Sequence, residues 1–154
     1  WGDSRIYWFR AKELVAMTID HSVVQSLVSA GLLSAEDART YPKKNILLGA
    51  VGVNSEVGPE VLSHPVDVSS EDAFLLCTDD IWNNLSPEQI QESLKQSSSV
   101  QDWISDLMTA VEQAGRGKND NFTATGVWIT SDSERTLLLK REGHESAISD
   151  ALGS

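Results

Sequence analysis

The stretch Ala73-Phe74-Leu75-Leu76-Cys77-Thr78-Asp79-Asp80-Ile81-Trp82 decides the fold. An apolar run of strand length, entered through Ser69-Ser70-Glu71-Asp72 and closed by Asp79-Asp80, reads as a β-strand of the fully buried type. Such a strand needs neighbours, and the chain supplies candidates on both sides. Upstream, Arg5–Phe9 and Glu13–Thr18 are β-rich and read as a hairpin turning at Arg10-Ala11-Lys12. Asn45–Val51 reads as a strand, residues 52–60 as a loop around Gly52, Gly58 and Pro59, and Val61–Val68 as a strand that Pro65 confines to an edge or a bulge. Downstream, Phe122–Ile129 alternates in strand fashion and pairs with Thr136–Leu139 across Ser131–Glu134.

Helices lie between these strands. Asp20-His21-Ser22 opens one in which Val23, Val24, Leu27 and Val28 form an apolar stripe, with Gly31 as its stop. Ser34-Ala35-Glu36-Asp37 opens a short second one that must end before Pro42. Ser86-Pro87-Glu88-Gln89 carries a Ser cap, Pro in the first turn and Gln at the capping-box position. After the polar break Gln96–Ser99, Val100–Ala114 places Val100, Trp103, Ile104, Leu107, Met108 and Val111 on one face, and Gly115 and Gly117 end it. The mixture is of the α+β class. The tail from Glu142 is small and polar, and fraying is expected there.

Composition narrows the function classes. Hydrophobic residues at 40% and charged residues at 23% are the balance of a globular chain, so wholesale disorder is excluded. A formal net charge of −11 repels nucleic-acid phosphates, whereas clustered carboxylates can hold divalent cations. No apolar run approaches the ~20 residues of a membrane span. The single cysteine, Cys77, lies inside the apolar strand and reads as a buried structural thiol. No signal peptide is visible and nothing calls for an oxidising compartment, so a cytoplasmic setting is expected. The chain opens on Trp1 without an initiator Met, so translation is expected to start upstream.

Four segments, in order, resemble the bacterial PP2C (PPM) family of metal-dependent serine/threonine protein phosphatases. Gly2-Asp3-Ser4-Arg5-Ile6-Tyr7 is similar to that family's Gly-Asp-Ser-Arg strand. Asp20-His21-Ser22 through Gly31, then Asn45-Ile46-Leu47 up to Gly52, is similar to the next conserved stretch of its bacterial members. Leu75-Leu76-Cys77-Thr78-Asp79-Asp80-Ile81-Trp82, continued by Ser86-Pro87-Glu88-Gln89-Ile90, resembles the strand that ends in a metal-binding Asp. Gly117-Lys118-Asn119-Asp120-Asn121-Phe122-Thr123 resembles the family's Asp-Asn motif.

The resemblance implies part of an α–β–β–α sandwich, with the N-terminal half of the domain absent. It makes residues 1–130 the C-terminal portion of the phosphatase domain and 131–154 a terminal strand and flexible tail. It implies two Mg²⁺ or Mn²⁺ ions, with a third, weaker one, activating a water that attacks phosphoserine or phosphothreonine in proteins. Asp79 and Asp120 match metal ligands, and Asp3 matches the ligand of the third metal. The metal-bridging carboxylate, the phosphate-binding Arg and the general-acid His belong to the absent half, so this chain alone is expected to be inactive.

Plainer roles stand beside these. An Asp after a strand is often a turn former or helix cap, Asp3 could accept bonds from the backbone or Arg5, and His21 is expected to cap its helix. Asp80 stands where the family has Gly, a position expected to need left-handed backbone. The five tryptophans read as packing residues. Ser4 has no nucleophile partners at suitable spacing. The expected partners are a phosphoprotein and either the missing half or a swapped copy, with no nucleic acid or membrane. The competing reading is a non-catalytic pseudophosphatase that binds a protein partner or oligomerises.

Overall fold

A computed structural model describes residues 2–44, 46–52, 58–115, 121–130 and 135–140, with the side chains of Arg39 and of 135–140 left aside. Strand β1 (Arg5–Arg10) turns into β2 (Glu13–Met17) through Ala11 and Lys12, whose φ values of 49° and 62° are left-handed. Positive φ at both central residues makes the two-residue loop whose twist suits a hairpin. Neither residue favours it, and outside contacts hold it: the Ala11 N–H donates to the Glu71 carbonyl (3.0 Å), and Lys12 Nζ donates to the Ser97 carbonyl (2.9 Å).

The expected buried strand is β3 (Asp72–Cys77). It sits at the centre of a five-stranded antiparallel sheet ordered β2-β1-β3-β4-β5, where β4 is Thr123–Trp128 and β5 is Arg135–Lys140. The register runs from Arg5 opposite Cys77 to Arg10 opposite Asp72, and from Cys77 opposite Ala124 to Ala73 opposite Trp128. The turn before β3 is fastened by Asp72, whose buried carboxylate accepts from Arg10 Nε (2.7 Å), Arg10 Nη2 (2.9 Å) and the Ser69 N–H (2.9 Å).

One face of the sheet carries the core. Tyr7, Phe9, Ala73, Leu75, Cys77 and Ala124 point toward helix α5 (Val100–Gly115), which answers with the six residues its sequence period places on one face, all buried. Phe9 meets Trp103 edge to face, with centroids 5.7 Å apart. Helix α4 (Pro87–Gln96) starts at a complete capping box between Ser86 and Gln89 and adds Ile90 and Leu94 to the core. Gly126 in β4 lets α5 come close: a Cβ there would stand 2.8 Å from Ile104 Cδ1.

The other face is open. Ile6 and Leu76 are 43% and 41% exposed, and Trp8 stacks on Phe74 (6.1 Å). β3 is therefore buried on the face that α5 covers and open on the other, where Leu76 is exposed and Phe74 half-buried, rather than buried on both faces as its apolar run suggests. The molecule is α+β as expected, a helix layer on a sheet layer, which is half of a four-layer sandwich. Among the described residues no helix is long and apolar enough to cross a membrane.

Other expectations need correcting. Asn45–Val51 is not a strand: residue 45 is outside the described set, and residues 46–51 make only the bridge of Leu47 with Ser22. The chain departs once Leu48 has donated to the His21 carbonyl (2.7 Å), so no ladder follows. Val61–Val68 also forms no strand; Pro65 has no N–H to pair, and Val61 and Leu62 are 82% and 73% exposed. Helix α1 (Val23–Ser29) buries none of its residues fully, so its apolar stripe is only half covered. Helix α2 (Ala35–Thr40) ends before Pro42 as its sequence requires. A further helix, α3 (Asp79–Asn84), follows β3 where the sequence marks only the close of the strand at Asp79-Asp80. The 131–134 connection and the tail from Glu142 lie outside the described residues.

Candidate metal centre

Three segments meet at one end of the sheet: the lead into β1, the exit from β3 and the entry to β4. Arg5 pairs with Cys77 in the last row of the β1–β3 ladder. Two residues beyond that row on each strand stand Asp3 and Asp79, so antiparallel pairing brings them opposite each other. Thr78 ties β3 to β4 at the same level, its N–H donating to the Thr123 carbonyl (3.1 Å) and its Oγ1 accepting from the Thr123 N–H (3.0 Å). Asp120 lies outside the described residues, just ahead of this entry to β4.

Asp79 and Asp80 occupy the first turn of α3, where backbone N–H groups favour negative charge. Asp80 is right-handed, since the only positive φ values outside glycine among the described residues are at Ala11 and Lys12. The expected left-handed strain is absent because the position belongs to a helix. The Asp80 Oδ2 is buried without a hydrogen-bond partner among the described residues. Burial raises the Asp3 pKa above its ordinary value; the Asp79 charge raises it further, its own backbone N–H opposes, and Asp20 adds to the rise.

Arg5 does not bind Asp3. Its guanidinium grips Asp20 with both prongs (2.8 and 2.7 Å), reaches the Tyr7 hydroxyl (3.5 Å) and lies 3.8 Å over the Trp82 ring. Burial opposes its charge, but the bonds it donates to Asp20 and Tyr7 together outweigh that and raise its pKa. The Trp82 indole N–H donates to the Asp3 carbonyl (2.9 Å). Asp20 and Trp82 thus join Arg5 and Asp3, contacts that their places in the Asp20-His21-Ser22 and Leu75–Trp82 segments do not by themselves reveal. Ser22, not His21, caps α1, accepting from the Gln25 N–H (3.2 Å). His21 instead donates its backbone N–H to the Gly2 carbonyl (2.9 Å). Cys77 is a free, buried thiol whose pKa burial pushes up to about 12, so it is no nucleophile.

Asp3, Asp79 and Asp80 offer hard oxygens, the donor type that Mg²⁺ and Mn²⁺ take. The orphaned Asp80 Oδ2 fits a cation in kind. The number falls short: among the described residues no group of three or more His, Cys, Asp or Glu side chains converges to hold an ion. The described residues thus bring hard-oxygen donors together at one end of the sheet, fewer than the set that would hold an ion.

No protein-family model matches the chain. The serine/threonine phosphatase stp of Listeria welshimeri is 35% identical over 139 residues, which are 90% of this chain and 51% of that protein. The solved serine/threonine phosphatase of S. agalactiae superposes with a TM-score of 0.72 at 34% identity, over 83% of this chain and 51% of that one. A structure of the catalytic domain of the serine/threonine protein phosphatase PstP, in complex with two manganese ions, matches with a TM-score of 0.61 at 26% identity, over 81% of this chain and 50% of that one. The chain spans about half the length of the curated relatives it matches.

Proposed function

We propose, for a chain that belongs to the bacterial PP2C (PPM) family of serine/threonine protein phosphatases, that it supplies half of a catalytic domain hydrolysing phosphoserine and phosphothreonine in proteins. The observation that carries this reading is the meeting of Asp3 and Asp79 at the end of the sheet, on segments whose order matches the family's motifs. Asp79 and Asp120 would hold divalent cations, with Asp3 at a further, weaker site; Mn²⁺ is favoured by the PstP complex and Mg²⁺ remains chemically equivalent. Bound cations of this kind lower the pKa of a water and balance phosphate charge.

The chain's own residues do the positioning. β3 and α3 carry Asp79, and Trp82 and the strand lead hold Asp3. Residues 1–130 form the phosphatase portion, with a terminal strand after it. The remaining ligands and the phosphate-binding group come from the other half of the domain, which also covers the open sheet face around Ile6, Trp8, Phe74 and Leu76. A swapped second copy is the other occupant that this face would accept. The cytoplasmic setting is kept, resting on Cys77 as a free thiol that asks for no oxidising compartment.

The experiment measures phosphate release from a phosphothreonine peptide with Mn²⁺, by this chain alone and by the chain supplied with the N-terminal half of its domain. Activity only in the second case, lost in Asp79→Ala, supports the reading. Its absence under every divalent cation tried sinks it.

A further inference from the structure

The contacts of Trp82 have a direction that packing does not explain. Trp103 shows what a tryptophan used for packing looks like here: it is fully buried, and its Nε1 has no hydrogen-bond partner among the described residues. Trp82 instead aims its N–H at the main-chain carbonyl of Asp3, across 79 positions of sequence. It lies three residues after Asp79 in α3, so both project from neighbouring positions of one helical turn. Its ring face carries the Arg5 guanidinium at 3.8 Å, and Arg5 lies two residues beyond Asp3 on the way into β1. The Arg5 fork is closed on Asp20, and the next residue, His21, bonds the Gly2 carbonyl. Residues 2–5 are thereby held on one side by the helix that carries Asp79 and on the other by the 20–21 segment.

We infer that Trp82 and Arg5 form a clamp that sets where the Asp3 carboxylate stands relative to Asp79, which makes both positioning residues for the weaker cation site that Asp3 serves in the proposed function. The inference rests on that reading of the site. The clamp fixes a main-chain atom, and the Asp3 side chain inherits the position. Arg5 is suited because its planar fork can bind Asp20 with both prongs while its face stacks on the indole; a lysine has no fork and no planar face to stack. Residues that orient metal ligands without touching the metal matter at about 10- to 100-fold in metal affinity.

The test uses the chain completed by the other half of its domain. Mn²⁺ binding is followed by electron paramagnetic resonance, beside thermal unfolding and peptide hydrolysis. Trp82→Phe keeps the ring and removes the donor; Arg5→Lys keeps the charge and removes the fork. Both are expected to weaken Mn²⁺ binding about 10-fold. KM for the phosphopeptide should stay unchanged, and the rate should return at saturating Mn²⁺. Should Trp82→Phe not fold, Arg5→Lys and Asp20→Asn carry the same comparison. Unchanged Mn²⁺ affinity in folded variants overturns the clamp, even if their melting temperature falls. A rate loss that saturating Mn²⁺ does not restore also overturns it. A wild-type domain that binds no Mn²⁺ overturns the proposed function and the clamp with it, so the two failures are told apart by the wild-type measurement.

Discussion

Replacing Gly126 with alanine should destabilise the molecule through a single added methyl group. The new Cβ would stand 2.8 Å from both Cδ1 and Cγ1 of Ile104 and 2.9 Å from Cγ2 of Val100. Carbon atoms pack comfortably at about 3.5 Å or more, so α5 or β4 must yield by roughly 0.7 Å. Rotamer escape is poor, because Val and Ile in a helix each have one strongly favoured χ1 state. Sliding the helix is no easier, since Trp103, Leu107 and Val111 are fully buried in the same interface. Overpacking of this kind costs about 1–3 kcal/mol. At about 2–4 °C per kcal/mol for a domain of this size, the midpoint should fall by roughly 2–12 °C, centred near 6 °C. Thermal unfolding followed by circular dichroism measures it, with urea unfolding as a second reading. The double variant Gly126→Ala with Val100→Ala should lose less than the two single losses summed, since each change makes room for the other. A midpoint for Gly126→Ala equal to or above wild type would refute the packing argument.

Other expectations follow from the same contacts. Ala11→Gly relieves a left-handed residue and should raise the midpoint by an amount worth about 1 kcal/mol; a fall would show that the turn is not strained. Arg10 holds the Asp72 pKa below its ordinary value in the folded state. The unfolded chain therefore takes up that proton first as pH falls through about 4, and stability present above that pH is lost below it. Asp3, with its raised pKa, acts in the opposite sense and offsets part of the loss. Asp72→Asn should be less stable at neutral pH and lose less on acidification, and an unchanged acid profile would contradict this. Cys77 should resist a thiol-specific reagent at pH 8 until the protein unfolds, because its pKa lies at about 12 in the fold; rapid labelling of folded protein would count against its burial.

Much of the frame was legible in the sequence for local reasons. The capping box at Ser86, the stop before Pro42 and the helical period of Val100–Val111 act within a few residues, and the structure keeps all of them. The missed helix α3 has six residues and a single buried one, Ile81, which is too little for a period to show. Asn45–Val51 and Val61–Val68 have strand composition, but among the described residues 46–51 find only the single bridge of Leu47 with Ser22 and 61–68 find no partner strand, and pairing is not a local property. At the site, Asp3 and Asp79 were singled out through the order of motifs. Their meeting depends on a register that only the fold expresses. Asp20 and Trp82 stand in quoted motifs, but their roles are not legible there because they lie in contacts to Arg5 and Asp3 across the chain.

The most direct test of the account is phosphate release from a phosphothreonine peptide by the chain completed with the N-terminal half of its domain, with Mn²⁺ added and then removed by EDTA. The account predicts turnover that EDTA abolishes and Mn²⁺ restores, with Asp79→Ala slower by about 100-fold or more. Turnover indifferent to EDTA, or an Asp79→Ala variant as fast as wild type, would contradict it.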